Sequence, residues 1–294
     1  MKLPRDTASS VQRSLVRLSK ERHADPNHVF LQYAFERFLY RLSVSPHVDT
    51  LVLKGAVLFT AWTGKEQRPT RDLDFLAYGT PDPDKFAELL GELCRTPVNT
   101  DDGICFEEDS IAVSVIGEHR NYTGVHASLI TTLSTARLKL RIDVGFGDVV
   151  TPAAVRIAFP VLLDFPAPWI RAYTRESVVA EKLHAMVALG LANSRMKDFY
   201  DTLVILEQFS IEGDTLAKAI KQTFDNRKTA IPEDVPYPLT DAFAADTGKQ
   251  TQWDAFIKRS RLIDTPPDFP DVVCQLRECL LGHLDAARTL SGHH

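Results

Sequence analysis

Cysteine is scarce, and the four present (Cys94, Cys105, Cys274 and Cys279) form no Cys-x-x-Cys pair and no metal-ligand spacing. That excludes a disulfide framework or a zinc cage, and the thiols are expected to be reduced and structural. Long hydrophobic runs are missing too. No apolar stretch reaches the ~18 residues of a membrane span, and the N-terminus, with Arg5, Arg13 and Arg17, lacks a signal-peptide core. A cytoplasmic protein with no membrane partner is expected. Charge of one sign is also lacking. A net charge of -5 argues against coating nucleic acid by bulk electrostatics and leaves room only for a local basic groove. No internal repeat or low-complexity tract is visible.

What is present is ordinary in amount: 44% hydrophobic residues over a length that suits one large domain or two packed lobes. Residues 11–19 and 27–42 carry helical spacing, the second through Phe30, Tyr33, Ala34, Leu39 and Leu42, and read as a leading helical cap. From 51 to about 163 the texture is β-type. Branched apolar segments at 111–116, 125–131, 138–144 and 155–162 lie between Gly, Pro or polar breaks, with helices expected at 56–62 and 84–94. An α/β (α+β) fold with a mixed sheet follows. The proline-rich joint 165–169 interrupts regular structure, dividing the chain into 1–165, helices and sheet core, and 166–294, a helical lobe. Helices are expected there at 175–189, 197–209, 214–224, 250–260 and 271–290, and His293-His294 reads as tail residue rather than ligand.

Chemistry concentrates in Arg68-Pro69-Thr70-Arg71-Asp72-Leu73-Asp74-Phe75. If 72–77 is a strand, Asp72 and Asp74 share one face and Leu73 and Phe75 the other. Paired carboxylates repel and are costly to desolvate unless a cation sits between them, so a hard divalent metal, most simply magnesium, and phosphate chemistry are indicated. The alternating segment 138–144 places Lys139, Arg141 and Asp143 on one face, making Asp143 a candidate third carboxylate; a solvent-facing charged row is the competing reading. Gly55, after the apolar run 51–53 and Lys54, opens a turn whose amides can receive a phosphate, although such glycines are common.

Beyond the proline joint, Lys182 sits just off a helical stripe of Val179, Leu183, Met186, Val187 and Gly190, from which an ammonium could reach a triphosphate or simply snorkel. Asp198 and Asp201 share a face of the next helix; the helix dipole accounts well for Asp198 and poorly for Asp201. His184 alone reads as an ordinary packed or exposed histidine. Two basic groups, Arg17, Lys20, Arg22 and His23, and Lys218, Lys221, Arg227 and Lys228, read as solvated helix faces.

Five segments together resemble the AbiEii/AbiGii family of nucleotidyltransferase toxins, which includes mycobacterial tRNA-modifying toxins. They are Leu53-Lys54-Gly55, Arg68-x-Thr70-x-Asp72-x-Asp74-Phe75, Arg141-Ile142-Asp143-Val144, Glu181-Lys182-Leu183-His184-Ala185, and the run from Arg195 through Lys197-Asp198-Phe199-Tyr200-Asp201 to Leu203. The resemblance implies a DNA polymerase β-like nucleotidyltransferase core followed by a helical lobe completing the active site. It implies Mg2+ or Mn2+ on Asp72, Asp74 and Asp143, an NTP substrate, and Lys182 on its phosphates. Asp201 would belong to a second catalytic motif. Lys54, Gly55, Arg68, Thr70 and Arg71 would bind nucleotide or substrate phosphate. RNA, most simply a tRNA 3′ end, would be the acceptor, and a cognate antitoxin the partner. Asp143 or Asp201 could take the acceptor's proton. Ala56 departs from the wider superfamily, which has Ser or Gly there, so a hydroxyl contact to phosphate is lost. Nucleotidylation or phosphorylation of a protein hydroxyl (the antitoxin or Thr70 itself), antibiotic nucleotidylation and a non-catalytic scaffold are the alternatives.

Overall fold

The computed structural model describes residues 7–116, 124–260, 262 and 264–290; Arg5 and the His293-His294 pair lie outside them. Two compact units form: Met1–Gly147 with Arg156–Ala172, and Asp148–Val155 with Tyr173–His294. The proline joint 165–169 falls within the second segment of the first unit.

The first unit contains strands β1 (Leu51–Lys54), β2 (Leu73–Ala77), β3 (Ile104–Ile116), β4 (Gly124–Leu133), β5 (Ala136–Phe146), β6 (Val155–Ala158) and β7 (Trp169–Ala172). They form one mixed sheet in the order β3-β4-β5-β2-β1-β7-β6. β2 and β5 are parallel, as are β1 and β7, while β1–β2, β4–β5 and β3–β4 are antiparallel. β7 was not expected, because two prolines precede it and only four residues pair before the first helix of the second unit. Leu73, Phe75, Ile142, Val144, Val125 and Ala127 are all buried, and each alternates along its strand with the polar row described below.

Helices α1 (Thr7–Glu21), α2 (Pro26–Val44), α3 (Val57–Thr63) and α4 (Pro83–Arg95) complete this unit. Asp25 accepts a hydrogen bond from the Asn27 amide and Pro26 occupies the first turn, so α2 starts with both a cap and a fixed φ. α2, the second helix of the expected leading cap, contacts β5 and β7 and is buried nearly all round. Its buried polar residues have internal partners. Arg41 donates to both carboxylate oxygens of Asp102 at 2.8 and 3.1 Å, Arg37 donates to the Pro166 carbonyl at 2.8 Å, and Glu36 pairs with Arg37 at 2.9 Å. Removing Asp102 would strand the buried Arg41 cation.

The second unit is helical: α5 (Arg175–Leu189), α6 (Met196–Gln208), α7 (Gly213–Asn226), α8 (Asp241–Ala244), α9 (Thr247–Ser260) and α10 (Phe269–Thr289). Phe199, Phe243, Trp253 and Phe269 pack ring against ring in its core. Among the described residues no helix is long and apolar enough to cross a membrane. Val187 and Gly190 fall outside the buried stripe of α5, which runs through Val179, Leu183 and Met186 and also takes in His184.

His184 is tied into a polar cluster. Arg227 lies 3.2 Å from its Nδ1 and donates to Asp148 at 2.9 Å, while Nε2 meets the Thr229 hydroxyl at 2.9 Å. Burial, then the neighbouring guanidinium, push the imidazole pKa down to about 4, against the pull of Asp148. The ring is therefore neutral at pH 7, with Nδ1 accepting from Arg227 and Nε2–H donating to Thr229. Because the folded pKa lies below the unfolded one, this contribution to stability is complete above about pH 6.5 and is lost as the pH falls toward 4. Thermal melts from pH 7 to 4 should show the parent losing on the order of 1–2 kcal/mol more than His184→Gln; parallel curves would contradict this.

Candidate active site

The strand register assembles one polar row across five strands. Lys54 of β1 stands opposite Asp74 of β2, Asp74 opposite Asp143 of β5, Asp143 opposite His126 of β4, and His126 opposite Ser114 of β3. Parallel pairing of β2 with β5 therefore brings together two acids far apart in sequence, at about the 4.8 Å spacing of adjacent strands. Two carboxylates so close repel each other. Their outer neighbours moderate this, a lysine in register on one side and a histidine on the other. His126 Nδ1 lies 2.5 Å from Asp143 Oδ1, and both side chains are about one-third exposed (36% and 38%).

Asp72 lies one residue before the first residue of β2 and is half-buried, rather than inside the strand as expected. The loop that delivers it is fastened at Glu66. That carboxylate accepts from the Thr70 amide at 2.9 Å and from Gln32 at 2.8 Å, and meets His28 Nε2 at 2.5 Å. The Thr70 hydroxyl turns back to the Asp72 carbonyl at 3.4 Å. Arg71 is exposed and Arg68 half-buried in the same loop.

Gly55 is the second element that fixes Asp74. Its φ is +77°, and a Cβ built there would stand 2.1 Å from Asp74 Oδ2 and 2.8 Å from its Cβ. Only glycine permits both the left-handed turn and the close approach of the carboxylate to it. Ala56, the position that departs from the superfamily pattern, is buried and begins α3 without a side-chain cap. Gly55→Ala should cost about 1–2 kcal/mol for the left-handed backbone and, by displacing Asp74, roughly 10^2-fold in turnover. Turnover that falls only in step with the folded fraction would show that the displacement is harmless.

Among the described residues no group of three His, Cys, Asp or Glu is gathered closely enough to hold a metal outright. The sheet itself assembles two of the three expected acids, Asp74 and Asp143. These are hard oxygen donors with a glycine cradle at one carboxylate, a donor set that suits a small divalent cation.

In the second unit Lys182 and Asp201 do meet. The Lys182 ammonium donates to Asp198 Oδ1 at 2.9 Å and to Asp201 Oδ2 at 2.7 Å. Arg195 Nε lies 2.7 Å from the other oxygen of Asp198, without hydrogen-bond alignment. Both carboxylates are 1% exposed and the lysine 14%. A dipole-favoured helix start thus gives an incomplete account of Asp198, whose charge is balanced across helices. Sequence reasoning missed His126 and Glu66. A lone histidine in a strand and a glutamate in a loop carry no local signal, and only the register and the loop path bring them to the acids.

A Helicobacter pylori protein, JHP933, has a similar fold, with a TM-score of 0.53 and 14% identity over 89% of this chain and 93% of that one. A second H. pylori structure, of a candidate nucleotidyltransferase, gives 0.49 and 15% identity over 91% and 97% of the two chains. No curated protein matches the sequence significantly. The family pattern described as nucleotidyl transferase AbiEii toxin, type IV toxin–antitoxin system, matches residues 37–274, a span holding every residue of the polar row and of the Lys182 cluster. The chain belongs to the AbiEii nucleotidyltransferase toxins.

Proposed function

We propose that this enzyme transfers an NMP group from an NTP to an RNA hydroxyl, most simply at a tRNA 3′ end, in the cytoplasm and with Mg2+ or Mn2+. The observation that carries the reading is the registered pair Asp74 and Asp143, backed by the Gly55 turn. Asp74 and Asp143, with Asp72, would hold the cation, which when bound offsets negative charge at the α-phosphate and on departing pyrophosphate. Lys54, Gly55, Arg68, Thr70 and Arg71 bind phosphate oxygens. His126 holds the Asp143 carboxylate in one orientation. The acceptor oxygen bonds to the α-phosphorus as the bond to pyrophosphate breaks, and its proton passes to a carboxylate base. Lys182 serves the nucleotide phosphates only by exchanging a carboxylate partner for them.

Incubation with each labelled NTP, magnesium and total RNA tests this reading. Labelled RNA with at least one nucleotide is expected. No label with any of the four, from folded protein, would overturn it; label on the protein or its antitoxin would move the acceptor to a protein hydroxyl.

A further inference from the structure

The face that carries Asp143 is not finished by the polar row. Going back along β5, every second residue is a cation: Arg141, Lys139 and Arg137, all exposed. β2 pairs with β5 only from Ile142 onward, so this part of β5 has β4 on one side and no paired strand on the β2 side. Arg137 donates to Glu107 at 3.2 Å. Lys139 and Arg141 make no hydrogen bond or ion pair among the described residues. The neighbours of the three cations on β4 are Thr132, Ile130 and Ser128, none of them acidic.

The basic groups elsewhere lie on or beside helices, whereas this row shares its strand face with Asp143. Arg17 faces Glu21 at 3.7 Å, Lys221 pairs with Asp225, and Arg227 is committed to Asp148. A strand spaces alternate side chains about 7 Å apart, comparable to successive phosphates of an extended single strand and unlike the compact cluster of a triphosphate. From this geometry we infer that the Lys139 and Arg141 row of β5 binds the phosphate backbone of a single-stranded RNA segment whose end lies at Asp143. The inference rests on the RNA-acceptor reading for its biological meaning. The binding itself requires no transfer chemistry.

Anisotropy of a short fluorescein-labelled single-stranded RNA, without NTP, tests it on the full chain. Lys139→Gln/Arg141→Gln should raise the Kd roughly 10-fold at low salt and reduce the slope of log K against log salt by about 1.4, as expected for two lost phosphate contacts. Affinity for each NTP should not change. Circular dichroism shows whether the variant is folded; both positions are exposed, and Lys139→Arg/Arg141→Lys, which keeps the charge, should restore binding. Unchanged RNA affinity and slope would overturn the inference. So would an equal loss in the charge-matched Arg13→Gln/Arg17→Gln variant, which would mean bulk electrostatics, or a matching loss of NTP affinity, which would assign the row to the nucleotide. If the parent labels no RNA but the oligonucleotide still depends on the row, the transfer reading falls and the binding site stands.

Discussion

Asp74→Asn is expected to lower nucleotidyl transfer by roughly 10^3-fold or more while leaving the protein folded. The side chain keeps its shape and is only half-buried, so the stability change should stay within about 1 kcal/mol. Asp74 stands in register with Asp143, and removing one charge relieves their repulsion. Loss of turnover without loss of stability is what separates a functional carboxylate from a scaffold residue. Parallel measurement of labelled-NMP transfer and of urea unfolding decides between them. A variant that keeps transfer within a few-fold of the parent would remove Asp74 from the chemistry.

Lys182→Met should act in the opposite way, mainly on stability. The ammonium lies between Asp198 and Asp201, each 1% exposed, so its removal takes one shared cation away from two buried carboxylates. Deleting one partner from such a buried ionic group costs about 3–5 kcal/mol. Denaturant unfolding should show that loss, and Asp198→Asn introduced together with Lys182→Met should recover part of it by removing one of the stranded charges. A lysine that only awaited a phosphate would give a different result: turnover would fall and the unfolding midpoint would not move.

How much of this was legible depended on whether the signal was local. Asp72-x-Asp74 and the alternation through Asp143 are local patterns, and they pointed to the polar row before any strand order was known. The partner of Asp74 was not local, because register is set by which strands meet; so Asp143 was only a candidate until β2 and β5 paired. His126 had no pattern of its own. The helical spacing of α2 was local and legible, but the partners of Arg37 and Arg41, the carbonyl of Pro166 and Asp102, come from distant segments and left no mark in it. β7 escaped because four residues after prolines carry too little alternation to read.

The way the chain is shared between its two units limits how the gene can be dissected. Residues Asp148–Val155 belong with the helical unit, although Arg156–Ala172 return to the sheet unit. A fragment ending before β7 removes the strand that pairs with β1 through Leu53 and Ala172, next to the Lys54-Gly55 turn. A fragment starting after the prolines lacks Asp148, the carboxylate that holds Arg227. Neither half is a self-sufficient module, so an inactive truncation says little about which residues are catalytic. Point substitutions in the intact chain are the informative route, and an attenuated toxin is better built from them than from a deletion.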